Sequence, residues 1–209
     1  MESLYKKLSM RYRRNRFHFF TEFMEGRAAP LRILDIGGTQ AFWDAMGYPS
    51  QEGVDITILN VKEGRATRPG FEYVRGDARD LSRWPDRHFD VAFSNSVIEH
   101  VGGYRDQVLM AREMLRVGQR WFVQTPCRTF PFEPHFRLFF YHYLPVALRV
   151  WLLQHNIIRH GPHTYQRARL AVEDVHYLSR RMLQDLFPGG RIQRERALGL
   201  TKSWIVCSP

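Results

Sequence analysis

Cysteine is scarce: Cys127 and Cys207 are the only two in 209 residues. They lie far apart and outside any Cys-x-x-Cys pair, so neither a disulfide framework nor a thiolate zinc site is indicated, and a cytoplasmic setting fits. No tract rich in Ser, Gly and Pro divides the chain, and no repeat or low-complexity tract occurs. With 44% apolar residues, one domain over 1–209 is the expectation. The opening "MESLYKKLSMRYRRNRFHFF" has no continuous apolar core and no small-residue cleavage site, which excludes a secretory signal. Acidic residues are in deficit: 21 Asp and Glu face 31 Lys and Arg, a formal charge of +10. That balance favours a polyanionic partner or an anionic membrane surface without choosing between them.

What is present begins with "RILDIGGTQAFW" (32–43). Arg32–Ile36 reads as a short buried strand, Gly37–Gly38 must break it, and "AFWDAM" is helix-compatible. Strand, glycine turn and helix together present backbone N–H groups and a helix N-terminus to a ligand. Strand-like apolar runs recur at 54–61, 71–76, 89–101, 120–126, 191–198 and 202–209. Between them, 104–118 carries Val108, Met110, Ala111, Met114 and Leu115 at helical spacing, and Gly118 suits a C-terminal cap. Another helix is expected over "EDVHYLSRRMLQDLF" (173–187), and a basic one over 1–26 with Leu4, Leu8 and Tyr12 on one face. Alternating strands and helices imply a parallel sheet covered on both faces, while the short "GLT" (199–201) forces a final antiparallel hairpin.

Four blocks in this order resemble the class I S-adenosylmethionine-dependent methyltransferases of the type 11-like family: "LDIGGTQA", "ITILNV", "VRGDARDL" and "FDVAFSNSVIEHV". The resemblance runs from roughly Arg32 to the C-terminus. It implies an α/β, Rossmann-like seven-stranded sheet, mostly parallel with an antiparallel last strand, helices on both faces, and S-adenosylmethionine as cofactor. By the same resemblance, Asp35, Gly37, Gly38 and Thr39 face the methionine part of the cofactor, although Thr39 and Ala41 stand where glycines are common. Asn60 takes the place of the usual ribose-binding acid; its amide cannot act as a two-oxygen acceptor. Asp77 accepts from the adenine amino group and Ala78 offers its N–H. Asn95 and Ser96 lie beneath the cofactor, with Glu99 and His100 toward the substrate opening at the carboxyl edge of the sheet.

The least generic part is an insertion over about 127–170. Its start resembles the family's Thr-Pro-x-x-x-Phe-Pro-x-Glu-Pro-His block, which puts Glu133 and His135 on a proline-stiffened loop at the pocket mouth. A histidine there suits removal of the acceptor's proton, so His100, Glu133 and His135 are the catalytic candidates. Phe136–Leu153 is too short and too often charged to span a bilayer; it reads as a greasy lid or as an interfacial helix against anionic lipid. His160 and His163 have no acidic or thiolate partner at ligand spacing, and no metal is expected. The expected activity is methylation, on oxygen first, of a small-molecule, lipid-linked or glycan acceptor in the cytoplasm, with peripheral contact at the inner membrane surface. Two alternatives stand beside it. An RNA methyltransferase is favoured by the charge and by the aromatics among the basic residues of 6–19, but no appended RNA-binding module or Asn-Pro-Pro-Tyr-like motif accompanies them. A non-catalytic S-adenosylmethionine-binding protein is the other.

Overall fold

The computed structural model describes every residue except 1, 50, 51, 134, 135, 156 and 158–163, and of 2–9 the backbone alone. The chain opens with helix α1 (Glu2–Met24) and continues through β1 (Leu31–Ile36), α2 (Gln40–Met46), β2 (Val54–Asn60), β3 (Phe71–Arg75) and β4 (Phe89–Asn95). Helix α3 (Tyr104–Val117) leads into β5 (Gly118–Pro126), followed by the two-residue strands β6 (Phe132–Glu133) and β7 (Leu138–Phe139). Helices α4 (Val146–Gln154), α5 (Tyr165–Glu173) and α6 (Arg180–Leu186) come next, then β8 (Arg191–Ala197) and β9 (Leu200–Cys207).

The seven-stranded sheet has the order β3-β2-β1-β4-β5-β9-β8. Strands β1 to β5 pair in parallel, and β9 runs antiparallel to both β5 and β8. Strand side chains alternate between faces, and this sorts the core. Leu34, Ile36, Ala92 and Val123 pack under α3 and α6 with Met110, Met114 and Leu183. Ile33, Ile58, Val91, Phe93 and Phe122 pack on the opposite face, with Phe17, Phe20 and Phe23 of α1 and Trp43 of α2. Phe20 stands edge-on at 4.8 Å from Phe93 and 5.4 Å from Phe122, the offset geometry aromatic rings prefer.

Of two local expectations, one holds and one changes. Gly118 ends α3, but with φ −94° and ψ 133° it is already the first residue of β5; its N–H bonds to the Met114 carbonyl. The helix expected over 173–187 forms only from Arg180, where the Ser179 hydroxyl accepts the Met182 N–H. The preceding residues thread past the site instead, and His176 N–H donates to Glu99 O at 2.8 Å. That long-range bond competes with local helix propensity and wins. The insertion forms a third cluster of its own, with Tyr141, Val150, Leu153, Ala168 and Val172 buried together.

Candidate functional site

The carboxyl ends of β1, β2 and β4 open onto a cavity of about 330 Å³. Its apolar sides come from Ile36, Leu59, Val97 and Val101, and its polar rim from Asn60, Asp77, Ser96 and His100. Gly37 is essential to this edge: it sits at φ +76°, and a Cβ there would fall 2.6 Å from Val97 Cγ2. Its N–H ties the turn to Leu59 O at 2.7 Å. Ala78 is on the wall beside Asp77.

Asn60 crosses from β2 to the glycine turn. Its Nδ2 donates to Gly38 O at 3.1 Å, and its Oδ1 accepts the Lys62 N–H at 3.1 Å. Asp77 is clamped by Arg79: Nε reaches both carboxylate oxygens at 3.0 and 3.1 Å, and Nη2 donates to Oδ2 at 2.6 Å. These bonds hold the Asp77 carboxyl below the usual carboxylate range. Arg79 Nη1 continues to Asp106 Oδ1 at 2.9 Å, which fixes the loop against α3.

The turn residues Asp35 and Thr39 are placed differently from what the resemblance implies. Asp35 shares the face of Ile33, so its side chain enters the α1–α2 core, where it is 1% exposed and absent from the cavity lining. Trp43 Nε1 donates to Asp35 Oδ2 at 2.6 Å. Burial pushes the carboxyl up to about 7, against the lowering effect of the indole bond. Gly38 must lack a side chain because a Cβ would lie 1.7 Å from that same oxygen. Thr39 is the N-cap of α2, its hydroxyl accepting the Phe42 N–H at 3.3 Å.

At the end of β4, Ser96 reaches the cavity with φ +59°, while Asn95 faces α1. Arg16 of α1 spans both: its Nη1 lies 3.3 Å from Asn95 Oδ1, 3.4 Å from Ser96 Oγ and 2.6 Å from Gln124 Oε1. Glu99 does not point to the opening as expected. It is buried and accepts Thr125 Oγ1 at 2.9 Å, because the tight turn Ile98–His100 rolls it inward. His100 does line the cavity, with Nδ1 3.0 Å from Asp174 Oδ2.

Beyond residues 174–177 lies a second cavity, also about 330 Å³, lined by the insertion. Here Glu133 is 2% exposed. Tyr177 Oη donates to its Oε2 in a short hydrogen bond, and His142 Nδ1 stands 3.7 Å from the same oxygen. Burial pulls the His142 imidazole below the usual histidine range. Arg128 and Arg149 complete the polar wall. Gln107 braces the partition by donating to Ile98 O at 3.2 Å and His176 O at 2.8 Å. His135, with His160 and His163, lies outside the described residues. Among the described residues, no group of three or more His, Cys, Asp and Glu is arranged to hold a metal ion. Sequence reasoning missed Arg16, Trp43, Arg79, His142 and Tyr177. Trp43 alone carried a local signal, as the large polar-edged residue closing the first strand-turn-helix unit.

Residues 34–120 match the family model described as "Methyltransferase domain". That stretch of the chain is therefore similar to methyltransferase domains. The match contains all four blocks, and it stops before the insertion. Among solved structures, the chain is similar to a SAM-dependent methyltransferase from Aquifex aeolicus, at 13% identity and a TM-score of 0.51 over 91% of this chain and 86% of that one. It is also similar to a "possible exported protein" from Bordetella parapertussis, at 14% identity and a TM-score of 0.56 over 93% of this chain and 67% of that one. The cyclase SpnF matches at 21% identity and a TM-score of 0.41 over 49% of this chain, and only 41% of SpnF's length is spanned. At such identities the likeness concerns the fold. No curated protein matches.

S-adenosylmethionine is the cofactor of this class, and the first cavity fits its adenosyl part. A flat base needs apolar sides with hydrogen-bonding groups at its edges, which Leu59, Val97, Asn60 and Asp77 provide. The bare Gly37 backbone leaves room for close approach. The methionine end departs from the family pattern, since Asp35 is committed to Trp43.

Proposed function

We propose that the methyltransferase domain catalyses methyl transfer from S-adenosylmethionine to an oxygen of a small-molecule, lipid-linked or glycan acceptor. The observation that supports this reading is that the 174–177 strip links two cavities: Asp174 bonds His100 on the wall of the first, and His176 and Tyr177 line the second together with Gln107. When bound, S-adenosylmethionine supplies a methyl group on a sulfonium sulfur. The chain's own task is therefore to align an acceptor lone pair and to take up its proton.

Asn60, Asp77 and Ser96 line the cofactor side, and His100 is held at the divide by Asp174. On the acceptor side, Glu133 and His142 stand 3.7 Å apart, and Tyr177 fixes the carboxylate by a hydrogen bond. Burial keeps His142 neutral near pH 7, so a ring nitrogen is available to receive an acceptor hydroxyl's proton. His135, two positions after Glu133 in the sequence, is a second candidate base; His135→Ala is expected to lower turnover about 100-fold if it serves as one.

The test supplies methyl-labelled cofactor to the protein with cell extract split into small-molecule, lipid, glycan and RNA fractions. Label in one of the first three supports the proposal. Label in RNA favours the nucleic-acid alternative, and cofactor binding without label anywhere favours a non-catalytic binder.

A further inference from the structure

The insertion has a one-signed charge. Between Cys127 and Leu170 stand six arginines, at 128, 137, 149, 159, 167 and 169, and one acidic residue, Glu133, which is buried. It also has its own small core, yet it leaves large apolar side chains outside. Phe139 is 62% exposed and Phe140 59%, and Leu138, Tyr143, Leu148 and Trp151 join them at the surface. The same stretch faces two ways: Phe136, Tyr141 and His142 line the second cavity, while 138–140 and 143 face solvent. Arg137 and Phe140 bracket β7 with φ of +54° and +60°, a left-handed backbone that non-glycine residues adopt at a cost. The tip thus combines a strained backbone with exposed aromatics, the pairing expected of a surface held for contact rather than for packing.

We propose that this tip docks on an anionic bilayer surface. Phe139, Phe140, Tyr143 and Trp151 would enter the boundary between headgroups and acyl chains, where aromatic rings settle best, and the exposed Arg137 and Arg167 would meet lipid phosphates. Two alternative occupants fit less well. A second copy of this chain would bring the exposed Arg137 and Arg167 against their own counterparts, with the sole acid of each segment buried. A nucleic acid has no use for Leu138 and Leu148, since its bases stack on rings. This inference does not depend on the methyl acceptor or on the reaction.

The test is sedimentation of the full chain with phosphatidylcholine vesicles, with and without phosphatidylglycerol. Binding should require phosphatidylglycerol and weaken as salt is raised. The double variant Phe139→Ser, Phe140→Ser should bind about tenfold or more weakly, with an unchanged circular dichroism spectrum. Should that variant misfold, Trp151→Ser carries the same test. The proposal is overturned by absent binding at low salt, by equal binding of the tip variants, or by equal binding to both vesicles. It is equally overturned if binding is absent and the tip variant instead dissolves a dimer seen by light scattering.

Discussion

Trp43 Nε1 donates to Asp35 Oδ2 at 2.6 Å, and the carboxyl next to the last residue of β1 is thereby turned into the core instead of toward the cofactor cavity. Burial raises its pKa to about 7 from an ordinary 3.8. Between those values the native state binds more protons than the unfolded chain. The stability this site contributes is complete below about pH 4 and is lost as the pH rises through about 7. Asp35→Asn preserves shape and an acceptor for the indole, and it never ionises. Urea titrations should show a flatter pH dependence between pH 4 and 7 and a gain at pH 8 of about 2 to 4 kcal/mol. A loss at pH 8 would mean that the ionised form is the one the fold uses.

Family logic suggests that Asn60→Asp would restore the usual ribose acceptor. The geometry points the other way, because Asn60 Nδ2 donates to Gly38 O and a carboxylate would set oxygen against oxygen. The variant should lose about 1 to 3 kcal/mol of stability and bind an adenosyl ligand more weakly. Calorimetry and thermal unfolding on the same sample check both expectations.

Asp77 and Arg79 can be separated. Asp77→Ala removes an acceptor from the cavity rim and should weaken adenosyl-ligand binding by about 1 to 3 kcal/mol. Arg79→Ala removes the clamp but keeps the acceptor, so its loss should be smaller. If the order of the two calorimetric losses is reversed, the guanidinium and not the carboxylate reads the ligand.

His142 has a pKa held below 6.5 by burial, so the unfolded chain takes up a proton there before the native one does. Its contribution to stability is present above about pH 6.5 and is lost as the pH falls below that. His142→Gln should reduce acid sensitivity in this window. Tyr177→Phe, which withdraws the hydroxyl from Glu133, should cost about 1 to 3 kcal/mol in urea unfolding and lower turnover with cofactor affinity intact.

The parallel sheet and its antiparallel finish were legible because the signals are local: short apolar runs, the Gly37–Gly38 break, the "GLT" turn and the helical spacing around Met110 and Met114. Gly37, Asn60, Asp77, Ala78, Ser96 and His100 do converge on one cavity, since each sits at a strand end that topology brings to the same edge. What was not legible depends on distant partners. Asp35 leaves the rim because α1 and Trp43 build a core beneath it. Residues 174–179 are not helical because Glu99 and His100 claim them through His176 and Asp174. The pairing of Glu133 with Tyr177, and of Arg16 with Gln124, joins segments with no common sequence pattern.

The place of β9 between β5 and β8 has a consequence for how the chain is made. The aromatic face of α1 is synthesised first, yet it shares its core with Ile205 and Cys207. Until residues 200–207 have been polymerised, β5 is an open edge from Phe122 to Pro126, with one row of N–H and C=O groups unmatched. Folding that depends on such distant contacts is slow to nucleate. The face that carries Phe20 and Phe122 thus stays incomplete until β9 is made, and the sheet cannot close before that strand is available.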